Sequence, residues 1–202
     1  METKIKKPFY KKWWLWVIVI IVIVVAIGSG GGSDKKTANT NSNKSATTVE
    51  NTKKEEGTKI TYENFLKIKM GAKLADVEAI LGKGTEESSS ELGGIKTAMY
   101  SWNGQGISNM NVTIQNDVVT GKAQLGLDST DAKVTLEKYN QVKEGMSYDQ
   151  VKGILGEGQI MSQTKLMDIE STMYSWVNSD GSNMNCTFSG GKMALKAQFN
   201  LK

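Results

Sequence analysis

Apolar positions fall into three regimes along the chain. Trp13 to Ile27 is an unbroken apolar run, WWLWVIVIIVIVVAI; residues 29–58 offer almost nothing to bury; from residue 59 apolar positions recur first at helical and then at strand spacing. Thr61 is placed to cap a helix carrying Phe65 and Ile68. Gly71 breaks it, and Leu74, Val77, Ile80 and Leu81 repeat at helical spacing until Gly82. The period then changes to two. Met110, Val112 and Ile114 alternate with Asn111, Thr113 and Gln115, while Ala123, Leu125 and Leu127 alternate with Lys122 and Gln124. Turn signals stand at Asn103-Gly104, Asn116-Asp117, Asn178 to Gly181 and Gly190-Gly191.

The pattern occurs twice. Shifted by 74, residues 59–128 lie on 133–202 without a gap, and 26 of the 70 positions are identical, the mark of an internal duplication. Leu81-Gly82-Lys83-Gly84 falls on Leu155-Gly156-Glu157-Gly158, and Met99-Tyr100-Ser101-Trp102 on Met173-Tyr174-Ser175-Trp176. The helical start is repeated too, with Thr135 capping Tyr139 and Val142, Gly145 as the break, and Tyr148, Val151, Ile154 and Leu155 stopping at Gly156. The predicted fold class is α+β: two tandem modules, residues 59–128 and 133–202, each a helix-loop-helix packed on one face of a three- or four-stranded antiparallel sheet. The other face of each sheet is expected to be free.

The first regime reads as membrane-related. Fifteen apolar residues at about 1.5 Å each span roughly 22 Å, short of the roughly 30 Å hydrocarbon core. Trp13, Trp14 and Trp16 suit the headgroup interface, and Lys11 and Lys12 can snorkel, which covers the deficit. The expected organisation is a basic cytoplasmic tail at 1–12, a transmembrane helix at 13–28 and a disordered linker at 29–58, with the C-terminal modules extracellular. A cleaved signal peptide fits the same basic start and apolar run. The anchor is preferred because the run is long for a signal sequence; both routes lead to export. The linker's typical reach is about 30 Å.

Composition removes several function classes. The chain has no His and no Arg, and Cys186 is its only cysteine, so an intramolecular disulfide and the usual nitrogen–sulfur metal sites are excluded; neither a metal nor a cofactor is expected. The +4 net charge belongs to the N-terminal region, since residues 1–58 hold 10 Lys against 5 acidic residues and residues 59–202 hold 15 against 16. No basic stripe interleaved with aromatics is left, so no nucleic-acid partner is expected. Catalysis needs a convergent acid, base or nucleophile. Asp76 and Glu78 become Gln150 and Lys152 in the second copy, Glu86, Glu87 and Glu91 form a solvated acidic edge, and Cys186 replaces Val112 as a small core residue. The expectation is a protein that is not an enzyme.

A helix, Gly, a second helix ending Ile-Leu-Gly-x-Gly, then Tyr-x-Trp on a strand, given twice, resembles the β-lactamase-inhibitor-protein-like (BLIP-like) modules of Gram-positive surface proteins. It is more distantly similar to outer-membrane-assembly lipoproteins of the SmpA/OmlA type. The resemblance implies a helix-loop-helix on a four-stranded sheet and a non-catalytic protein that binds another protein of the envelope or exterior through its sheets. The distant relatives imply, as an alternative, a cell-envelope scaffold or assembly factor. The namesake's modules each carry a disulfide that this chain cannot form, and no motif transfers inhibitory contacts residue by residue.

Alternation supplies the candidate binding residues. If the apolar set faces the helices, then Asn111, Thr113, Lys122 and Gln124 face solvent, with Asn185, Thr187, Lys196 and Gln198 matching them in the second copy; all four are identical between copies while the inferred core drifts. Cross-strand hydrogen bonding is the bland explanation for that identity. Tyr100, Trp102, Tyr174 and Trp176 form an alternative aromatic face if the parity is reversed, although alternation with Ser101 and Ser175 places them beneath the helices.

Overall fold

The computed structural model describes residues 59–202; the anchor and linker at 1–58 lie outside the described residues. The first half contains α1 (Tyr62–Lys67), α2 (Leu74–Leu81), β1 (Thr85–Leu92), β2 (Ile95–Asn103), β3 (Asn109–Gln115) and β4 (Val118–Leu125). The second contains α3 (Leu136–Gln141), α4 (Tyr148–Leu155), β5 (Gln159–Leu166), β6 (Ile169–Val177), β7 (Asn183–Ser189) and β8 (Lys192–Phe199). Every element of the second half begins 74 residues after its counterpart. Among the described residues no helix is long and apolar enough to cross a membrane.

Local chemistry fixes the helix ends. Thr61 Oγ1 accepts the Asn64 N–H at 3.2 Å, and Thr135 Oγ1 accepts that of Lys138 at 3.2 Å. Such a cap satisfies a donor the first turn cannot otherwise use. Thr61→Ala should cost about 1 kcal/mol, read as a lower urea midpoint with an unchanged slope. Between the helices Gly71 and Gly145 adopt φ of +82° and +83°, and the chain returns to the sheet. Gly71 N–H donates to Val119 O and Val119 N–H to Ala72 O, both at 2.8 Å; Gly145, Met193 and Met146 repeat the exchange.

The Leu-Gly-x-Gly motif serves the tryptophan. Gly82 ends α2 at φ +87° and its carbonyl accepts the Trp102 indole N–H at 2.9 Å. A Cβ on Gly84 would come within 2.5 Å of the indole ring, so only glycine lets the ring lie on the backbone. Gly156, Gly158 and Trp176 build the same arrangement, with the N–H···O distance 3.0 Å.

All eight strands form one antiparallel sheet in sequence order. The sequence predicts a three- or four-stranded sheet in each module; the two sheets are instead continuous, because β4 pairs with β5 through Gly121↔Thr164, Lys122↔Gln163 and Ala123↔Ser162. The union removes two sheet edges from solvent. Each helix pair covers its own apolar cluster, one around Phe65, Ile68, Leu81, Trp102, Met110 and Val112, the other around Val142, Val151, Leu155, Trp176, Met184 and Cys186. Cys186 is fully buried, and desolvation raises its pKa to about 11, in keeping with a small apolar residue.

Candidate functional site

Directly opposed residues of an antiparallel pair point to the same side, so register assigns every strand residue to a face. Tyr100, Val112 and Lys122 share the helix-covered face, as do Tyr174, Cys186 and Lys196. On the bare face one row runs across all eight strands: Thr85, Ser101, Asn111, Ala123, Ser162, Met173, Thr187 and Leu195. None of these is charged. A second row passes through Met99, Thr113, Gly121, Thr164 and Ser171.

Larger apolar side chains stand exposed on this face towards the strand ends. Leu92, Ile95, Leu166 and Ile169 flank the β1–β2 and β5–β6 hairpin turns, and Leu125 and Phe199 lie towards the opposite end. These are two hairpin-end pairs and two single residues, not one contiguous patch, so it is the uncharged row that distinguishes the face. The face has weak polar texture of its own: Asn111 Nδ2 donates to Asn109 Oδ1 at 3.3 Å, and the Ser101 hydroxyl donates to the Glu87 carboxylate.

The predicted set divides. Asn111, Thr113, Asn185 and Thr187 lie half-buried on the bare face. Lys122, Gln124, Lys196 and Gln198 do not; they project to the helix side, a correction to the simple alternation. The cause is a β-bulge: one residue is added between Val119 and Gly121, opposite Ile114 and Thr113, and its counterpart lies between Met193 and Leu195. The extra residue reverses parity, sending Leu125 and Phe199 outward and the lysines inward. Only an unpaired residue in an otherwise regular run could have revealed this, and the sequence GKAQL reads as unbroken alternation either way.

The lysines have structural work. Lys122 Nζ donates to the carbonyls of Phe65 and Ile68, each at 2.8 Å, and lies 4.5 Å from the Phe65 ring centroid. Lys196 Nζ donates to Tyr139 O at 2.6 Å and lies 3.9 Å from the Tyr139 ring. Phe65 O and Tyr139 O each accept a cap N–H at 3.3 Å, from Ile68 and Val142, and the ammonium adds a second donor at the negative end of the helix. The identity of these lysines in both halves is therefore explained by helix capping. Desolvation lowers the Lys122 pKa to about 8, and lowers that of the more exposed Lys196 as well.

Tyr100, Trp102, Tyr174 and Trp176 also face the helices, both indoles buried and both phenols partly so. The side that reversed parity would expose instead carries Met99 and Met173. Where the β4–β5 ladder ends, a cleft of ≈ 490 Å³ opens between Tyr62, Tyr148, Tyr174 and Ile160. Tyr62 bridges it, its hydroxyl accepting the Ile160 N–H at 2.7 Å. Burial raises the pKa values of Tyr62, Tyr148 and Tyr174, keeping the phenols neutral. Among the described residues there is no group of three or more carboxylate or cysteine side chains placed to hold a metal.

Helices on one side and bare strands on the other define an α+β protein built around an open sheet. The sequence profile of the β-lactamase inhibitor (BLIP) family matches residues 61–176, and the chain belongs to that family. Among solved structures, the fold is similar to that of a "putative beta-lactamase inhibitor protein" from Streptococcus mutans, at 21% identity and a TM-score of 0.60, covering 76% of this chain and 99% of that one. A search of curated proteins found no match.

Proposed function

We propose that this chain is an exported, membrane-tethered, non-catalytic binding protein, built from two copies of one module, that holds another protein against the bare face of its sheet. The observation that carries this reading is the eight-stranded uncharged row from Thr85 to Leu195, flanked by exposed apolar side chains and covered by no helix among the described residues. Strands of a continuous sheet present such a row with little freedom to rearrange, so a partner is met by a pre-organised surface. Family membership supports a protein partner. The tether rests on the Trp13 to Ile27 run alone.

Two measurements test the parts separately. A photo-crosslinking residue in place of Ala123, on the bare face, should capture a discrete partner on intact cells, whereas one at Glu137 on α3 should not; equal capture from both sides would sink the open-face reading. Protease added to intact cells should remove the modules and leave a membrane-held stub, and full protection would refute the topology. A purified serine β-lactamase is the specific partner to try first, with substrate turnover as the readout.

A further inference from the structure

We infer that the edge of β8 left unpaired among the described residues is a second binding surface, a strand acceptor that takes an extended segment of a partner protein antiparallel to it. The internal β4–β5 junction shows how such an edge is filled. There Gln124 holds two things at once: its Oε1 accepts the Leu127 N–H at 3.3 Å, and its Nε2 donates to Ile160 O on the incoming strand at 3.1 Å. Ile160 packs into the first apolar cluster, and small hydroxyl and amide residues, Ser162, Gln163 and Thr164, complete the ladder.

β8 carries the same parts. Lys196, Ala197 and Gln198 stand where Lys122, Ala123 and Gln124 stand in β4. Gln198 Oε1 accepts the Leu201 N–H at 3.1 Å, repeating the Gln124–Leu127 bond, while Nε2 finds no acceptor among the described residues. Gln124 is 5% exposed, whereas Gln198 is classed with the exposed residues, together with Ala194, Leu195, Ala197 and Phe199 around it. A strand with one unpaired edge and exposed apolar residues is a template for strand addition, and main-chain hydrogen bonds supply the affinity in that mode.

The occupant is argued from what the junction accepts. Among the described residues, the edge strand of a second copy that would stand head-to-tail as β5 stands is β1, whose sequence TEESSSEL puts Glu86 and Glu87 where β5 has Ile160 and Met161. Lys196 could pair with Glu87 at the rim, but exposed ion pairs contribute little, and a carboxylate driven into the place of Ile160 loses its solvation. β1 is thus blunted against self-addition. The segment that fits has an aliphatic residue at the Ile160 position and small uncharged polar residues over Lys196. This surface is distinct from the bare face, and the proposal does not depend on that reading.

The probe is a labelled peptide with the β5 sequence QIMSQTKL, titrated against the full chain by fluorescence anisotropy, with the β1 sequence TEESSSEL as the comparison. The β5 peptide should bind saturably and at least about tenfold more tightly than the β1 peptide. Gln198→Glu keeps an acceptor for Leu201 N–H but removes the outward donor, so it should weaken binding about tenfold while leaving the Tm unchanged. Hydrogen exchange should slow in β8 and nowhere else. No saturable binding, protection in strands other than β8, or indifference to Gln198→Glu would each overturn the proposal. Tighter binding of the β1 peptide would make the occupant a second copy and overturn the assignment to a separate partner.

Discussion

Trp102→Ala and Trp176→Ala should each lower stability by about 3–5 kcal/mol, with Tm falling by roughly 10 °C. Each substitution empties a fully enclosed site and leaves a glycine carbonyl, Gly82 or Gly156, without its indole donor. Both variants should still unfold in one transition. The reason is the junction: the β4–β5 ladder, the Tyr62–Ile160 bond and the Gln124–Ile160 bond tie the halves together, so neither core can be lost without exposing part of the other. Two separate transitions by circular dichroism would show the halves to be independent folding units. Gly84→Ala tests the same packing from the opposite direction, since its Cβ would meet the Trp102 ring; a cost of about 1–3 kcal/mol is expected.

Much of this architecture is written locally. Thr61 and Thr135 name the helix starts, Gly82 and Gly156 the stops, and Asn116-Asp117 the β3–β4 turn, where both residues have positive φ. The 74-residue repeat doubles each signal. What stayed hidden is non-local or silent in composition. The fusion of the halves depends on the match between β4 and β5, whose residues Gly121 to Ala123 and Ser162 to Thr164 carry no pattern beyond ordinary strand polarity. The β4 bulge hides because the residues on either side of it remain alternately polar and apolar, so both parities look satisfactory. Alternation alone makes a lysine on a strand read as solvated, because its helix-capping partners, Phe65 and Ile68, lie more than fifty residues earlier in the chain.

That buried lysine yields the strongest contrast between the two readings of the face. On the bare face Lys122→Glu would cost almost nothing; in its actual place it should cost about 3–5 kcal/mol, because a carboxylate would be left buried against two carbonyl oxygens at the negative end of α1. Lys196→Glu should cost less, since Lys196 is more exposed and bonds one carbonyl. Lys122→Met keeps the stem's packing and loses only the polar head, so it serves as the reference for pH. The ordinary lysine value of 10.5 is lowered to about 8 in the fold, chiefly by desolvation. The unfolded chain then binds more protons than the folded one between those values, so stability contributed by Lys122 rises with pH across that window. Below about pH 8 the residue is charged in both states and its desolvation cost is constant. Wild type should therefore gain stability relative to Lys122→Met as pH is raised from 8 to 10.5. The tyrosines act in the opposite sense above pH 10, because their raised values make neutral phenols a requirement of the fold, but they are common to both proteins and cancel in the difference. A difference that stays flat across the window would mean that the two carbonyls hold the ammonium charged despite its burial.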